Sequence, residues 1–368
     1  MNSIAYRAEQ TFAAPHAHGG GGVGRTMFLV QAALVPATLF GFWLYGWPAF
    51  FLWSITLASA LVCEFMCLRL MGRANAKQTL FDGSALLTGW LLAMTLPPWS
   101  PWWIGALGAF IAIVIGKQVF GGLGQNVFNP AMVARVALLI SFPLQLTTWV
   151  TPLPLTAATA PGFLDGLRIT LGELPLPDAM TSASLLGYAK TELSRGADLF
   201  GAFAAEAAPR LSWLGTRPGS LGESAAPLIL LGGLFLLALR AIRWHAPLGV
   251  LVGVLLPAVL AHSIAPGKFL GAEAHLFSGA LLLGAFFIAT DYVTSPNTDT
   301  GQFIFGLGVG LLTWIIRTLG GYPEGVAFAI LFMNAMTPIL DRYLRPRILG
   351  RTRSGAPLQS VAIPEKKG

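Results

Sequence analysis

Hydrophobic residues come along this chain in long blocks, and polar residues gather between the blocks. Blocks of roughly 16 to 20 apolar residues match helices that cross a hydrocarbon core about 30 Å thick. Ten such segments lie near 27–45, 48–68, 82–97, 102–118, 130–147, 226–243, 246–263, 275–291, 301–318 and 323–341. Several are short for a crossing, with Pro and Gly at their ends, as in helices that break or re-enter. KQVFGGLGQNVFNPA, residues 117–131, reads as such a break. The predicted fold class is an all-α polytopic membrane protein. A polar stretch of 78 residues, 148–225, interrupts the blocks.

Charge orients the segments. Arg69, Arg73 and Lys77 lie between the second and third, and Arg240 and Arg243 follow the sixth. The tail carries Arg342, Arg345, Arg347, Arg351, Arg353, Lys366 and Lys367. Lys and Arg near span ends mark the cytoplasmic side. Ten crossings then put both termini in the cytoplasm and the 148–225 insert outside. Arg317 is a local exception. The organisation expected is a cytoplasmic segment 1–26, a five-helix unit 27–147, an outer insert 148–225, a second five-helix unit 226–341 and a basic tail 342–368.

Composition agrees with a membrane protein. The 368 residues are 55% hydrophobic and 11% charged, with mean hydropathy +0.67, against about 25% charged in soluble domains. The net charge of +7 does not point to nucleic acid, because the cations sit at the ends of apolar segments. Cys63 and Cys67 share one helix face and exclude a disulfide scaffold. Two thiols are half of a usual metal site. His16, His18, His245, His262 and His275 lack a metal-ligand spacing. The first residues lack the apolar core of a cleavable signal peptide.

LFDGSALLTGWLLAMTLPP (80–98) and LFSGALLLGAFFIATDYVTSP (276–296) resemble each other. Each is followed by another apolar span ending at Lys117 or Arg317, then by a Gly pair, Gly121-Gly122 or Gly320-Gly321. Two copies of a five-span unit would lie inverted in the membrane, with a ligand near their interface. The competing reading is chance similarity of Gly- and Leu-rich helices.

Within GKQVFGGLGQNVFNPAM, glycines lie beside Gln125, Asn126 and Asn129, which suits either a cofactor pocket or a plain turn. Asp291, Thr294 and Ser295 form either a capped helix end or a second pocket. Glu64 and Arg135 are charges inside apolar spans, a costly placement that often marks function. In the insert, DAMTSASLL gathers hydroxyls behind one acid. Taken alone it reads as a Ser/Thr-rich turn.

With these stretches together, the chain resembles the D subunit of the Rnf-type electron-transport complex, related to the B subunit of the sodium-pumping NADH:quinone reductase. DGSALLTGWLLAMTLPPWSPWW, GKQVFGGLGQNVFNPAM, ALLISFP, HLFSGALLLGAFFIATDYVTSP and GLLTWIIRTLGGYPEGVAFAILFMN carry the resemblance, from about Arg25 to Arg347. It implies a bacterial inner-membrane subunit of a complex coupling ferredoxin/NAD electron transfer to sodium or proton movement. It also implies covalent FMN, joined by its phosphate to a hydroxyl by a flavin transferase, and a non-covalent riboflavin. The family's attachment pattern falls on Asp178, Thr181, Ser182 and the acceptor Ser184, where Thr is usual. Partners expected are other subunits of the complex, the transferase and the lipid bilayer, and no nucleic acid. A secondary transporter of the same layout, or a scaffold with a vestigial flavin site, are the rival functions.

Overall fold

The computed structural model describes residues 22–72, 79–174, 181–182, 184–204, 218–224 and 226–345. Asp178, His16, His18, the N-terminal segment to residue 21, Arg73, Lys77 and the tail from 346 lie outside the described residues.

Helix α1, Val23–Leu70, holds 48 residues. Straight, it would run about 72 Å, more than twice the hydrocarbon thickness. It instead turns back at Gly46 (φ 73°, ψ −163°), two residues before Pro48. The Phe42 ring lies 5.4 Å from those of both Phe50 and Trp53. On a straight helix, residues 42 and 53 would be about 16 Å apart along the axis. α1 is therefore a helical hairpin whose arms are the segments near 27–45 and 48–68. Its turn needs Gly46, because φ is left-handed there.

α2, Ser84–Thr95, settles against both arms. Trp90 Nε1 donates to Thr38 Oγ1 (2.9 Å). Gly89 allows close approach, since a β-carbon there would stand 2.9 Å from Ala60 Cβ. α3, Trp102–Phe110, runs on as a π-helical stretch, Ile111–Gln118. The chain then leaves helical form over the predicted break, with Gly121, Gly122 and Gly124 all at positive φ. α4, Pro130–Ser141, restarts under an Asn129 cap, and α5 covers Pro143–Thr147.

The insert begins with β1, Trp149–Val150, paired antiparallel to β2, Thr181–Ser182, with Trp149 opposite Ser182. Between them, α6, Phe163–Leu171, is pinned to the α1 turn by Phe163 against Trp47 (5.0 Å) and Phe51 (5.1 Å). α7, Leu185–Ser194, and α8, Leu199–Ala204, follow.

The second half contains α9, Ala226–Ala238, and α10, His245–Ile264. The segment predicted near 275–291 is broken into α11, Ala272–Phe277, the single turn α12, Leu281–Leu283, and a π-helical turn, Gly284–Ile288. α13, Asp299–Leu319, and α14, Val326–Tyr343, complete it. α1, α10 and α13 are long and apolar enough to cross a membrane.

α10 and α13 touch backbone to backbone. A β-carbon on Gly249 would meet Phe303 O and Leu307 N, and one on Gly253 would meet Leu307 O and Leu311 N. Both sets of numbers rise together, so the helices run parallel. The broken segment between them must therefore carry the chain back. Two Gly-x-x-x-Gly pairs, Gly249/Gly253 and Gly306/Gly310, permit this approach, as small residues do between membrane helices.

The two similar sequence stretches also share local geometry. Gly83 and Gly279 are both left-handed, at φ 81° and 65°. Lys117 Nζ donates to Ser84 Oγ (2.8 Å), beside the first, and Arg317 donates to Ser278 O (2.7 Å) and Gly279 O (3.1 Å), at the second. The Gly pairs differ, since Gly320 has φ −78°. One apolar core runs through both halves, from Leu34, Leu92 and Leu138 to Val250, Phe305 and Ile330.

Candidate functional site between the halves

Two cavities open where the halves meet, one after the other along α4. The inner one holds about 80 Å³ and is lined by Ser84, Lys117, Asn126, Asn129, Phe287 and Asp291, among others. The other is smaller, about 30 Å³, and is lined by Thr95, Met132, Arg135, Leu139, Gly279 and Glu324, among others. Pro130 and Ala131 face the inner cavity, while Met132, Arg135 and Leu139 face the outer. The two sets are centred about 7 Å apart along the helix rise.

Asn129 organises the inner cavity. Its side-chain oxygen caps α4 by accepting from Met132 N (3.3 Å). Its amide nitrogen donates to Asp291 Oδ2 (3.3 Å), and its backbone N–H donates to Asn334 Oδ1 (3.1 Å). Asn334 Nδ2 in turn donates to Thr294 O (3.1 Å). Asp291 accepts from Val293 N (3.2 Å) and Thr294 Oγ1 (3.1 Å). It thus closes a turn after the π-helical stretch and forms part of the cavity wall, while Thr298 caps the next helix. Asn126 Oδ1 is buried without a partner at this cavity. A buried orphan acceptor is costly, and a polar ligand would satisfy it.

Glu64 does not reach the cavity alone. Its Oε1 accepts from Lys117 Nζ at 2.8 Å, with both side chains almost fully buried. The lysine stands at the cavity edge, where Ser84 Oγ also accepts from it and donates to Asp82 Oδ1 (2.5 Å). The acid in the span is explained by its counter-ion. Cys63 is half-buried and Cys67 buried. Among the described residues, no group of three or more His, Cys, Asp or Glu could hold a metal.

At the outer cavity, Arg135 Nη2 donates to Glu324 Oε2 (2.8 Å), and Arg135 Nη1 is buried without a partner. Glu223 fastens the neighbouring segment: Oε1 accepts from Ser220 Oγ (2.9 Å), and Oε2 from Gly279 N (2.9 Å). Sequence reasoning singled out Arg135 but not Glu324, Glu223 or Asn334. Arg135 was itself the available signal, because a cation in an apolar span needs an acid nearby.

Ser184 lies beside this region. It is the N-cap of α7, buried, and its Oγ accepts from Gly187 N (3.2 Å). α7 is tied down where Lys190 donates to Tyr322 O (3.0 Å) and Arg317 O (3.3 Å). Burial pushes the Lys190 ammonium pKa down. Leu185 and Leu186 pack on Ala274, and Leu186 reaches Gly279 in the cavity wall. Strand β2, Thr181–Ser182, ends two residues before Ser184. The free N–H groups of a helix's first turn favour an anion there. Ser serves this N-cap at least as well as Thr would.

The sequence profile of the NQR2, RnfD, RnfE family matches residues 10–350. The D subunit of an ion-translocating oxidoreductase complex from Stutzerimonas stutzeri is 54% identical over 336 residues, covering 91% of this chain and 94% of its own. The D subunit of such a complex from Halorhodospira halophila (strain DSM 244 / SL1) is 49% identical over 348 residues, covering 95% and 97%. That of Rhodobacter capsulatus is 48% identical over 318 residues, covering 85% and 86%. The apolar helices and this match together describe a multi-pass membrane protein, and the chain belongs to the NQR2, RnfD, RnfE family.

Proposed function

We propose that this chain is the flavin-bearing membrane subunit of a redox-driven ion-translocating oxidoreductase complex. The names of its relatives support the complex. The observation that carries the flavin reading is Ser184 as N-cap of α7, beside a cavity between the halves. Ser184 Oγ would hold FMN through a phosphoester, with the first-turn N–H groups of α7 around the phosphate. Asp178, Thr181 and Ser182 would serve recognition by the flavin transferase that attaches it. When bound, FMN supplies the electron-carrying chemistry. A second, non-covalent flavin such as riboflavin completes this reading, and the unpartnered Asn126 Oδ1 at the inner cavity supports a polar ligand there. Stacked along α4, the two cavities lie next to one another between the halves.

In this reading ten crossings form two inverted five-helix repeats in a bacterial inner membrane. Both termini are cytoplasmic, and the insert with Ser184 is periplasmic. The shared geometry at Gly83 and Gly279 favours the repeat. Ferredoxin and NAD bind other subunits of the complex, and sodium or protons are moved.

The test is mass spectrometry of the peptide spanning 178–190. An FMN adduct is expected, lost in Ser184→Ala together with electron transfer. A secondary transporter would carry no flavin absorbance at all. A scaffold with a vestigial site would keep complex activity in Ser184→Ala.

A further inference from the structure

We propose that a membrane phospholipid seats in an apolar groove at the C-terminal end of α10, with an acyl chain inside it and its zwitterionic headgroup at the rim. The groove holds about 400 Å³, far more than either cavity between the halves, and shares no lining residue with them. Leu199, Phe203, Pro266, Phe269 and Leu270 give it apolar walls, and His262 and Gly271 complete it. These walls are tied in place. Leu199 N donates to Gly267 O (2.9 Å), fastening α8 to the loop after α10. His262 Nδ1 donates to Phe269 O (2.7 Å), holding the same loop on α10. The Phe203 ring meets Tyr188 of α7 edge-on at 5.7 Å. Ligand pockets hold about 300–1,000 Å³ between largely apolar walls, so the groove has the room of a bound molecule.

Continuity with the bilayer and charge at the rim name the occupant. Leu256, Val259, Leu260 and Ile264 are exposed along the second half of α10, the face a membrane-crossing helix turns to lipid. Val259 stands one turn before His262 on the same side of the helix, so this apolar stripe runs into the groove. α10 has 20 residues, about 30 Å of rise, which matches the hydrocarbon core. Its end at Ile264 therefore falls at the level of the headgroups. Lys268 is exposed there, between the wall residues Pro266 and Phe269. Asp198 Oδ1 lies against Gly267, the residue before it. Among the described residues neither side chain makes an ion pair. A cation and an anion side by side match the phosphate and the ammonium of a zwitterionic headgroup.

Gly271 supplies the test. Its φ of −64° suits any residue, and a β-carbon there would meet only His262 Nε2, at 4.0 Å, so a longer side chain enters the groove without strain. The intact complex with the wild-type chain, Gly271→Leu or Lys268→Gln is placed in vesicles of phosphatidylethanolamine bearing a photoactivatable acyl chain. After irradiation, adducts are located by peptide mass spectrometry. Wild type should carry the lipid on the stretches 199–203 and 266–271. Gly271→Leu should lower this labelling about tenfold, and Lys268→Gln about fivefold. Labelling at the lipid-facing stretch 256–260 should stay the same in both, which a general loss of fold would not allow. Equal groove labelling in all three chains overturns the proposal, as does a wild-type groove without adduct. Cross-linking of Phe269→Cys to another subunit also overturns it, because a protein segment then fills the groove. Should Gly271→Leu fail to assemble, the exposed Lys268→Gln decides alone.

Discussion

A single methyl group on Gly310 tests whether α10 and α13 truly meet through their backbones. That carbon would stand 2.8 Å from Gly253 Cα and 2.9 Å from Gly253 C, and would press on Val250 O. Carbon pairs prefer roughly 3.5–4.0 Å, so the helices must part by about 1 Å. Overpacking of this kind costs about 1–3 kcal/mol. Alanine returns up to about 1 kcal/mol in helix propensity. Gly310→Ala should therefore lose about 1–2 kcal/mol. Gly308→Ala is the control on the same helix. Its methyl meets only Met333 Cε and Sδ at 2.6 Å, the far end of a flexible side chain that can swing aside. Its net effect should be near zero. Detergent-solubilised protein would be unfolded with increasing dodecyl sulfate and followed by tryptophan fluorescence. If the two variants agree within about 0.5 kcal/mol, the close backbone seam is refuted.

Removing one partner of the buried Glu64–Lys117 pair, as in Lys117→Met, should cost about 3–5 kcal/mol in the same assay, and Glu64→Met/Lys117→Met should recover most of it. Asn334→Ala leaves the Asn129 N–H without its acceptor and should cost about 1–3 kcal/mol; proteolysis of the 119–129 loop, compared with wild type, reports the loosened seam. Ser184→Thr preserves both the cap and a hydroxyl, so the 178–190 peptide should retain the FMN adduct and α7 its stability. Ser184→Ala should lose both, with about 1 kcal/mol of cap energy.

Much of the architecture was legible along the chain, because it depends on local causes. The apolar blocks marked where the helices lie, and among the described residues three of them are long enough to cross a membrane. The gap between the segments ending near 45 and beginning near 48 coincides with the α1 turn, and clustered glycines at 121–124 announced the non-helical break. The resemblance singled out Ser184, whereas taken alone its stretch read as a Ser/Thr-rich turn, and its place as the cap of α7 came only with the structure. What lay beyond reach were the pairings. Glu64 finds Lys117 across 53 positions, Arg135 finds Glu324 across 189, and Asn129 finds Asn334 across 205. No periodicity encodes such partners. They follow from how closely helices approach and which faces they turn to one another. Glycines at 249, 253, 306 and 310 let one pair of helices come together, and the broken segment between them turns Gly279 toward Arg317 and Leu186. Sequence alone thus determined that this is a many-span helical chain with a hydroxyl poised in its insert. Tertiary packing decided that two cavities stack along α4 with a half-used arginine facing the outer one, because a cavity exists only where side chains distant in sequence fail to fill the same space.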